Sequence, residues 1–186
     1  MRNIVSFIFV FILIIVPSSC FAFQNEPNGF RNLYWGETLQ EVQKDYATTY
    51  LYYSAMENSV IYTIPLIDKN IGGVYSKDNV IYLGFWNNQL YSIFINFPED
   101  TLEASTQTYK DLIYSMSLYY NTPTVNDSYS SEYNSNSTMW IGNTSSILLN
   151  QSLTSNKYSY KYDTTIIIRN NYLAIKAIKD GTSRGW

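Results

Sequence analysis

Two strand-like runs, residues 79–86 and 89–97, meet at Asn87-Asn88, and this pairing constrains the fold more than any other feature of the chain. Asn tolerates the positive φ that both central residues of a tight primed turn adopt, so the segment predicts an antiparallel hairpin. In its second arm Tyr91, Ile93, Ile95 and Phe97 alternate with polar residues and are expected on one face, with Ser92 and Asn96 on the other. A sheet with one apolar face needs a cover. The chain supplies one directly: Asp100 with Glu103 is expected to cap a helix over residues 101–119 that gathers Leu102, Tyr109, Leu112, Ile113, Met116 and Tyr120 into one stripe. Asn121-Thr122-Pro123 ends it.

The remaining segments repeat this alternation. Thr38 with Glu41 three residues on is a capping box, predicting a short helix over residues 39–46 that buries Leu39, Val42 and Tyr46. Residues 50–65 read as one or two strands interrupted at Glu57-Asn58-Ser59, and Ile71-Gly72-Gly73-Val74 reads as a turn or bulge. Residues 126–137 are Ser, Tyr and Asn with almost no aliphatic side chain and predict an exposed loop. Strands are expected at 138–142, 145–153 and 158–170, and residues 172–179 fit either a strand or a helix. The expected class is α+β, an antiparallel sheet packed on two helices. Element order leaves a tandem of helix plus three strands open, with halves 30–98 and 99–178, beside a single undivided unit.

Residues 1–22 have the pattern of an export signal: Arg2, an apolar stretch from Ile4 to Val16, then Pro17-Ser18-Ser19-Cys20-Phe21-Ala22. That stretch is shorter than the roughly 20 residues a membrane-spanning helix needs. Cleavage after Ala22 would release a chain starting at Phe23; alternatively Ser18-Ser19-Cys20 resembles the end of a bacterial lipobox, with Cys20 as the lipidated first residue. Pro17 stands where a lipobox usually has an aliphatic residue, which favours free secretion. A membrane partner is expected only if Cys20 is lipidated. The roughly 160 residues from Phe23 onward suffice for one domain with its own core. Cys20 is the sole cysteine, so no disulfide forms within one chain and stability must come from packing.

The same counts narrow the chemistry. The chain has no His, which removes the commonest catalytic base and zinc ligand, and no thiol beyond Cys20. No cofactor or metal is implied. Net charge is −3, or −4 once Arg2 is removed, with 11 basic residues against 15 acidic. The basic residues form no cluster, so neither nucleic acid nor an anionic membrane surface is an expected partner. The 19 Tyr, with abundant Asn, Ser and Thr, fit a sheet-rich exported protein.

Most residues that could carry chemistry also fit a structural role. Glu37, Glu41 and Asp45 recur every fourth residue, but acids in a first helical turn serve the cap and the dipole. No Ser-x-x-Lys dyad stands out; Ser152, Ser155 and Lys157 fall in a turn. Trp35, Trp86 and Trp140 read as core. Asn126, Asn136, Asn143 and Asn150 each open a sequon, which in a bacterial chain carries no glycan. Tyr158, Tyr160 and Tyr162 alternate along one strand and project from one face, where such a row either packs across strands or anchors a partner. They are the candidate partner-binding residues.

The segment Gly29-Phe30-Arg31-Asn32-Leu33-Tyr34-Trp35-Gly36, lying just after the leader, resembles the Gly-Phe-Arg-x-x-x-Trp-Gly start of a group of small exported bacterial proteins without an assigned biochemical function. Residues 90–93, 109–123 and Met139-Trp140 are similar to that group as well. More distantly, Gly36-x-Thr38-x-x-Glu41-Val42 with a later helix ending before a Pro resembles β-lactamase inhibitory protein (BLIP) and the outer-membrane assembly lipoprotein BamE, departing from the latter at Asn121, where Gly is usual. That resemblance implies an α+β domain that binds another protein with its sheet face and does no chemistry. The expectation is therefore a non-enzymatic exported protein of the envelope or periplasm with a protein or glycan partner. The rival is a hydrolase using paired carboxylates, or a carbohydrate-binding protein.

Overall fold

The computed structural model describes residues 23–125, 136–155 and 160–184. Along the chain these form β1 (Gly29–Phe30), β2 (Leu33–Tyr34), α1 (Leu39–Asp45), β3 (Thr49–Ser54), β4 (Ser59–Pro65), β5 (Asn70–Ile71), β6 (Val74–Tyr75), β7 (Val80–Trp86), β8 (Gln89–Glu99), α2 (Leu102–Tyr120), β9 (Asn136–Ile141), β10 (Ser145–Ser155), β11 (Tyr160–Asn170) and α3 (Asn171–Arg184). Seven strands build one antiparallel sheet in the order β3-β4-β7-β8-β11-β10-β9, so the fold is α+β. Two meanders, β3-β4-β7-β8 and β9-β10-β11, meet where β8 pairs with β11 from Ser92↔Arg169 to Glu99↔Tyr162.

The hairpin turns at Asn87 and Asn88, with φ of 47° and 59°. Asn88 also anchors the start of α1: its side-chain oxygen accepts from the Leu39 amide and its amide nitrogen donates to Gln40. Where β11 ends, Gly36 and Glu37 close the free edge of β8, the Gly36 amide donating to the Leu90 carbonyl and the Leu90 amide to the Glu37 carbonyl. The capping box forms as expected, Thr38 Oγ1 accepting from the Glu41 amide while the Glu41 carboxylate accepts from the Thr38 amide at 2.7 Å. The Thr38 amide first, and next the Thr38 hydroxyl, which donates to the same carboxylate at 2.8 Å, hold the Glu41 carboxyl below its ordinary value.

The core lies between α2 and one face of the sheet. Ile93, Ile95, Phe97, Ile147 and Leu149 are fully buried there beneath Tyr109, Leu112 and Met116, each large aliphatic side chain worth about 1.5–3 kcal/mol when taken out of water. The first half of α2 docks through hydroxyls instead: Gln151 Nε2 donates to Ser105 Oγ, which lies 3.3 Å from Thr164 Oγ1. This is why Leu102, expected in the apolar stripe, is exposed. The cap of α2 also differs from the Asp100 cap expected from sequence. Thr101 Oγ1 accepts from the Ala104 amide, and Asp100 instead faces Lys77, which is bound chiefly by Glu99 at 2.5 Å. Asn121 takes the left-handed conformation (φ 65°) that a Gly would take, and its carbonyl accepts from Trp140 Nε1.

Two further differences have local causes. Tyr91 does not share a face with Ile93, because a bulge between Gly84 and Phe85 leaves one extra residue on β8 and turns Tyr91 to the opposite side. Asn136 and Ser137, expected in a loop, open β9 because they pair with Gln151 and Asn150; residues 126–135 of that loop lie outside the described residues. Residues 172–179 are helical, within α3.

Candidate binding surface

α2 covers one face of the sheet. On the other face α3 covers only one end, packing Leu173, Ala174 and Ala177 against Tyr91 and the flank of Trp86. That end is held by a polar clamp. Tyr91 Oη donates to Glu57 Oε2 at 2.5 Å and lies 3.1 Å from Ser59 Oγ, and Arg169 pairs with Glu57 at 3.0 Å. Asp180 on α3 accepts from both Trp86 Nε1 and Asn58 Nδ2. Burial first, and the hydrogen bond to Glu57 next, push the Tyr91 phenol well above its ordinary value. These groups join the β3–β4 turn, the β8 bulge, β11 and α3, with the buried Arg169 Nε left without a hydrogen-bond partner among the described residues.

Beyond the clamp the face is open among the described residues. Cross-strand pairing brings Tyr82, Phe94, Ile167, Leu148 and Met139 into one file: Tyr82↔Phe94, Phe94↔Ile167, Ile167↔Leu148 and Leu148↔Met139 are directly opposite pairs. Residues directly opposite in a ladder share a face, so five apolar side chains from five strands form a continuous stripe. All five are half-buried. The stripe is bordered by polar files. On one side run Asn96, Thr165, Asn150 and Ser137, and on the other Ser92, Arg169 and Ser146. Asn96 accepts from Thr165 at 3.0 Å, and the Arg169 guanidinium stands over the Phe94 ring at 5.7 Å. An apolar centre with a polar border is how protein interfaces are built. Burial, with Asp78 adding to it, raises the Tyr82 phenol above its ordinary value.

The free-edge strand β3 extends this surface. Tyr50, Leu51, Tyr52 and Tyr53 are 45–57% exposed, and β3 carries no charge. A register shift between Tyr50 and Tyr52 leaves Leu51 unpaired. Such a bulge interrupts the row of outward backbone groups that strand addition needs, so this edge is suited to contact through its rings.

Of the three tyrosines singled out from sequence, Tyr158 lies outside the described residues and Tyr160 opens β11 opposite Ser155. Tyr162 is half-buried opposite Glu99, in the alternation that continues through Thr164, Ile166 and Ile168, the side facing α2. Cys20 lies outside the described residues as well. Trp140 is core, Trp35 donates to Ser145 Oγ at 2.9 Å, and Trp86 serves the clamp. Glu37 accepts from the Tyr34 amide and Glu41 closes its cap. No group of three or more His, Cys, Asp or Glu among the described residues could hold a metal.

The stripe left a trace in the sequence: Ser92-x-Phe94-x-Asn96, Ser146-x-Leu148-x-Asn150 and Thr165-x-Ile167-x-Arg169 each place one apolar side chain between two polar ones on a single face. Nothing local says that the three align. Compared with known proteins, the chain matches no protein-family model, no curated protein and no solved structure.

Proposed function

We propose that this chain is an exported bacterial protein of the periplasm or envelope that performs no chemistry and binds a protein partner through the open face of its sheet. The observation that carries this reading is the uncharged stripe from Tyr82 to Met139, bordered by Asn, Ser, Thr and one Arg. Exposed aromatic and aliphatic clusters of this kind mark interaction sites. The absence of His and of any thiol beyond Cys20 supports the same reading, as does the resemblance to domains that bind proteins with a sheet face. Carboxylates that a hydrolase would need are engaged structurally: Glu26 accepts from the amides of residues 143–145, and Glu57 and Glu99 sit in ion pairs. No helix among the described residues is long and apolar enough to cross a membrane.

The test is site-specific photocrosslinking in an exporting bacterial host. A crosslinker at Ile167 or Leu148 should give adducts of one defined mass, and one at Lys110 on the outer side of α2 should not. Equal labelling from all three positions would remove the assignment. Mass spectrometry of the purified chain should find Phe23 first; a diacylglyceryl group on Cys20 would place the protein on a membrane leaflet instead.

A further inference from the structure

Where α2 stops docking through hydroxyls and turns apolar, it does not close on the sheet. A cavity of about 420 Å³ remains between the C-terminal half of α2 and the strands. Ile166, Ile168 and Met116, 3–8% exposed, line its inner wall, the fully buried Ile95, Ile147 and Leu112 touch only its edge, and Leu118 and Tyr119 stand at its open mouth. Phe30, from β1, and Ile71, from the small β5–β6 pair, stand at its sides. None of its lining side chains is charged. The only hydroxyls in it belong to Tyr119, Tyr120 and Ser115, and Ser115 is committed to the Gly72 carbonyl at 2.5 Å.

Deleting a large core side chain leaves a void of about 150 Å³. This cavity is well above that size and lies within the roughly 300–1,000 Å³ of small-molecule sites. Its lining on α2 runs from Leu112 to Tyr120, about 12 Å along the helix axis. It is also continuous with a polar recess. Phe30, Tyr119 and Tyr120 line both the cavity and a second hollow, bounded by Asn25, Asn28 and Arg31.

We infer that the protein binds a single-chain amphiphile, its unbranched acyl chain in the cavity beneath α2 and its head in the recess at Arg31. The uncharged lining suits a hydrocarbon chain, and the adjoining recess supplies donors, Asn and Arg side chains beside a phenol, while its one carboxylate, Glu26, is taken up by the amides of residues 143–145. The Arg31 guanidinium lies over the Phe30 ring at the junction of the two spaces, where it pairs with Asp68 at 3.3 Å and donates to the Asp68 and Asn70 carbonyls, contacts that a bound head group would share or displace. Both a free fatty acid and a lysophospholipid have this chemistry. The site is separate from the open face, on the opposite side of the sheet.

Titration with cis-parinaric acid, a linear fluorescent fatty acid, tests this in the purified chain. Saturable one-site binding is expected, displaced by palmitic acid or by lysophosphatidylcholine and not by butyric acid; whichever of the first two displaces at lower concentration identifies the source. Ile71→Trp and Met116→Trp, which fill the cavity, should each weaken the probe at least tenfold, and Ile167→Ser on the open face should leave it unchanged. No saturable binding, or unchanged binding in folded cavity variants, overturns the inference. Should both cavity variants fail to fold, a nitroxide-labelled palmitate must broaden the methyl resonances of Ile95, Leu112 and Ile147 in the unmodified protein. Broadening at Leu148 and Ile167 instead would place the chain on the open face and equally overturn it.

Discussion

Tyr91 and Ile93 stand two residues apart in one strand and face opposite sides of the sheet: Ile93 lies in the core under α2, and Tyr91 lies under α3. The bulge opposite Gly84 and Phe85 produces this reversal. It gives each side of the sheet an aromatic or aliphatic anchor at the same level, and it delivers the Tyr91 hydroxyl to Glu57, which pairs with Arg169 of β11 while the neighbouring Asn58 bonds Asp180 of α3. Without the bulge Tyr91 would compete with Leu90 and Ile93 for the main core, and α3 would have no seat.

Tyr91→Phe should therefore cost about 2 kcal/mol, the range for a buried hydrogen bond to a charged acceptor. The substitution also carries a pH signature. The folded-state phenol titrates above its unfolded value near 10, so its contribution is fully present below about pH 10 and is lost as pH rises further. Urea unfolding from pH 7 to 11 should show the wild-type advantage over Tyr91→Phe constant up to about pH 10 and shrinking above it. An advantage that grows with pH would contradict the Tyr91–Glu57 bond.

Gly84 is required by the same bulge. A Cβ there would run into the Ser92 hydroxyl, with the Tyr91 ring at 3.2 Å. Gly84→Ala should destabilise by about 1–3 kcal/mol through overpacking, and the Trp86 fluorescence, set by the contact with Asp180, should shift as α3 loosens. A neutral or stabilising change would show that the two strands part easily.

Thr38→Ala removes one half of the capping box and should cost about 1 kcal/mol in thermal unfolding. Glu41→Gln keeps the reach to the Thr38 amide and should cost less. Because the Glu41 carboxyl titrates below its ordinary value in the folded chain, its contribution is present above about pH 4.3 and disappears as pH falls through the lowered value, so Glu41→Gln should converge on wild type in acid, whereas Thr38→Ala, which also loses the acceptor of the Glu41 amide, should stay less stable.

On the open face, Leu148→Ser and Ile167→Ser replace half-buried side chains, and each should cost about 1 kcal/mol, far less than the roughly 2–5 kcal/mol expected for truncating the neighbouring core residues Ile147 or Ile168 to Ala. Crosslinked adducts should be lost in the first pair although the fold persists. If Leu148→Ser melts the protein as Ile147→Ala does, the face is covered rather than open.

Much of the local structure was legible in the chain. Thr38 and Glu41 announce α1, Asn87-Asn88 announces the hairpin, and the shift from period two to period 3.6 after Pro98 announces α2, because caps, turns and hydrophobic periodicity act over a few residues. The Thr101 cap of α2 was not legible, since Asp100 and Thr101 are both competent; in the fold Thr101 takes the Ala104 amide while Asp100 lies 3.7 Å from Lys77. The fate of residues 172–179 turned likewise on a distant partner: Tyr91 offers Leu173, Ala174 and Ala177 a surface that suits a helix.

The binding surface divides along the same line. That Phe94, Leu148 and Ile167 each sit between two polar neighbours is a property of three short segments, and alternation alone places each on a half-exposed face. That they touch is a property of register. The β8–β11 and β10–β11 ladders align them, and a slip of one residue in either would send the whole set to the other face. Local rules act through bonds and near neighbours and are written in the order of residues. Which side of the sheet α2 covers, where the bulge turns Tyr91, and how much space remains between Met116 and Ile147 depend on the packing of segments far apart in sequence, so only the folded chain decides them.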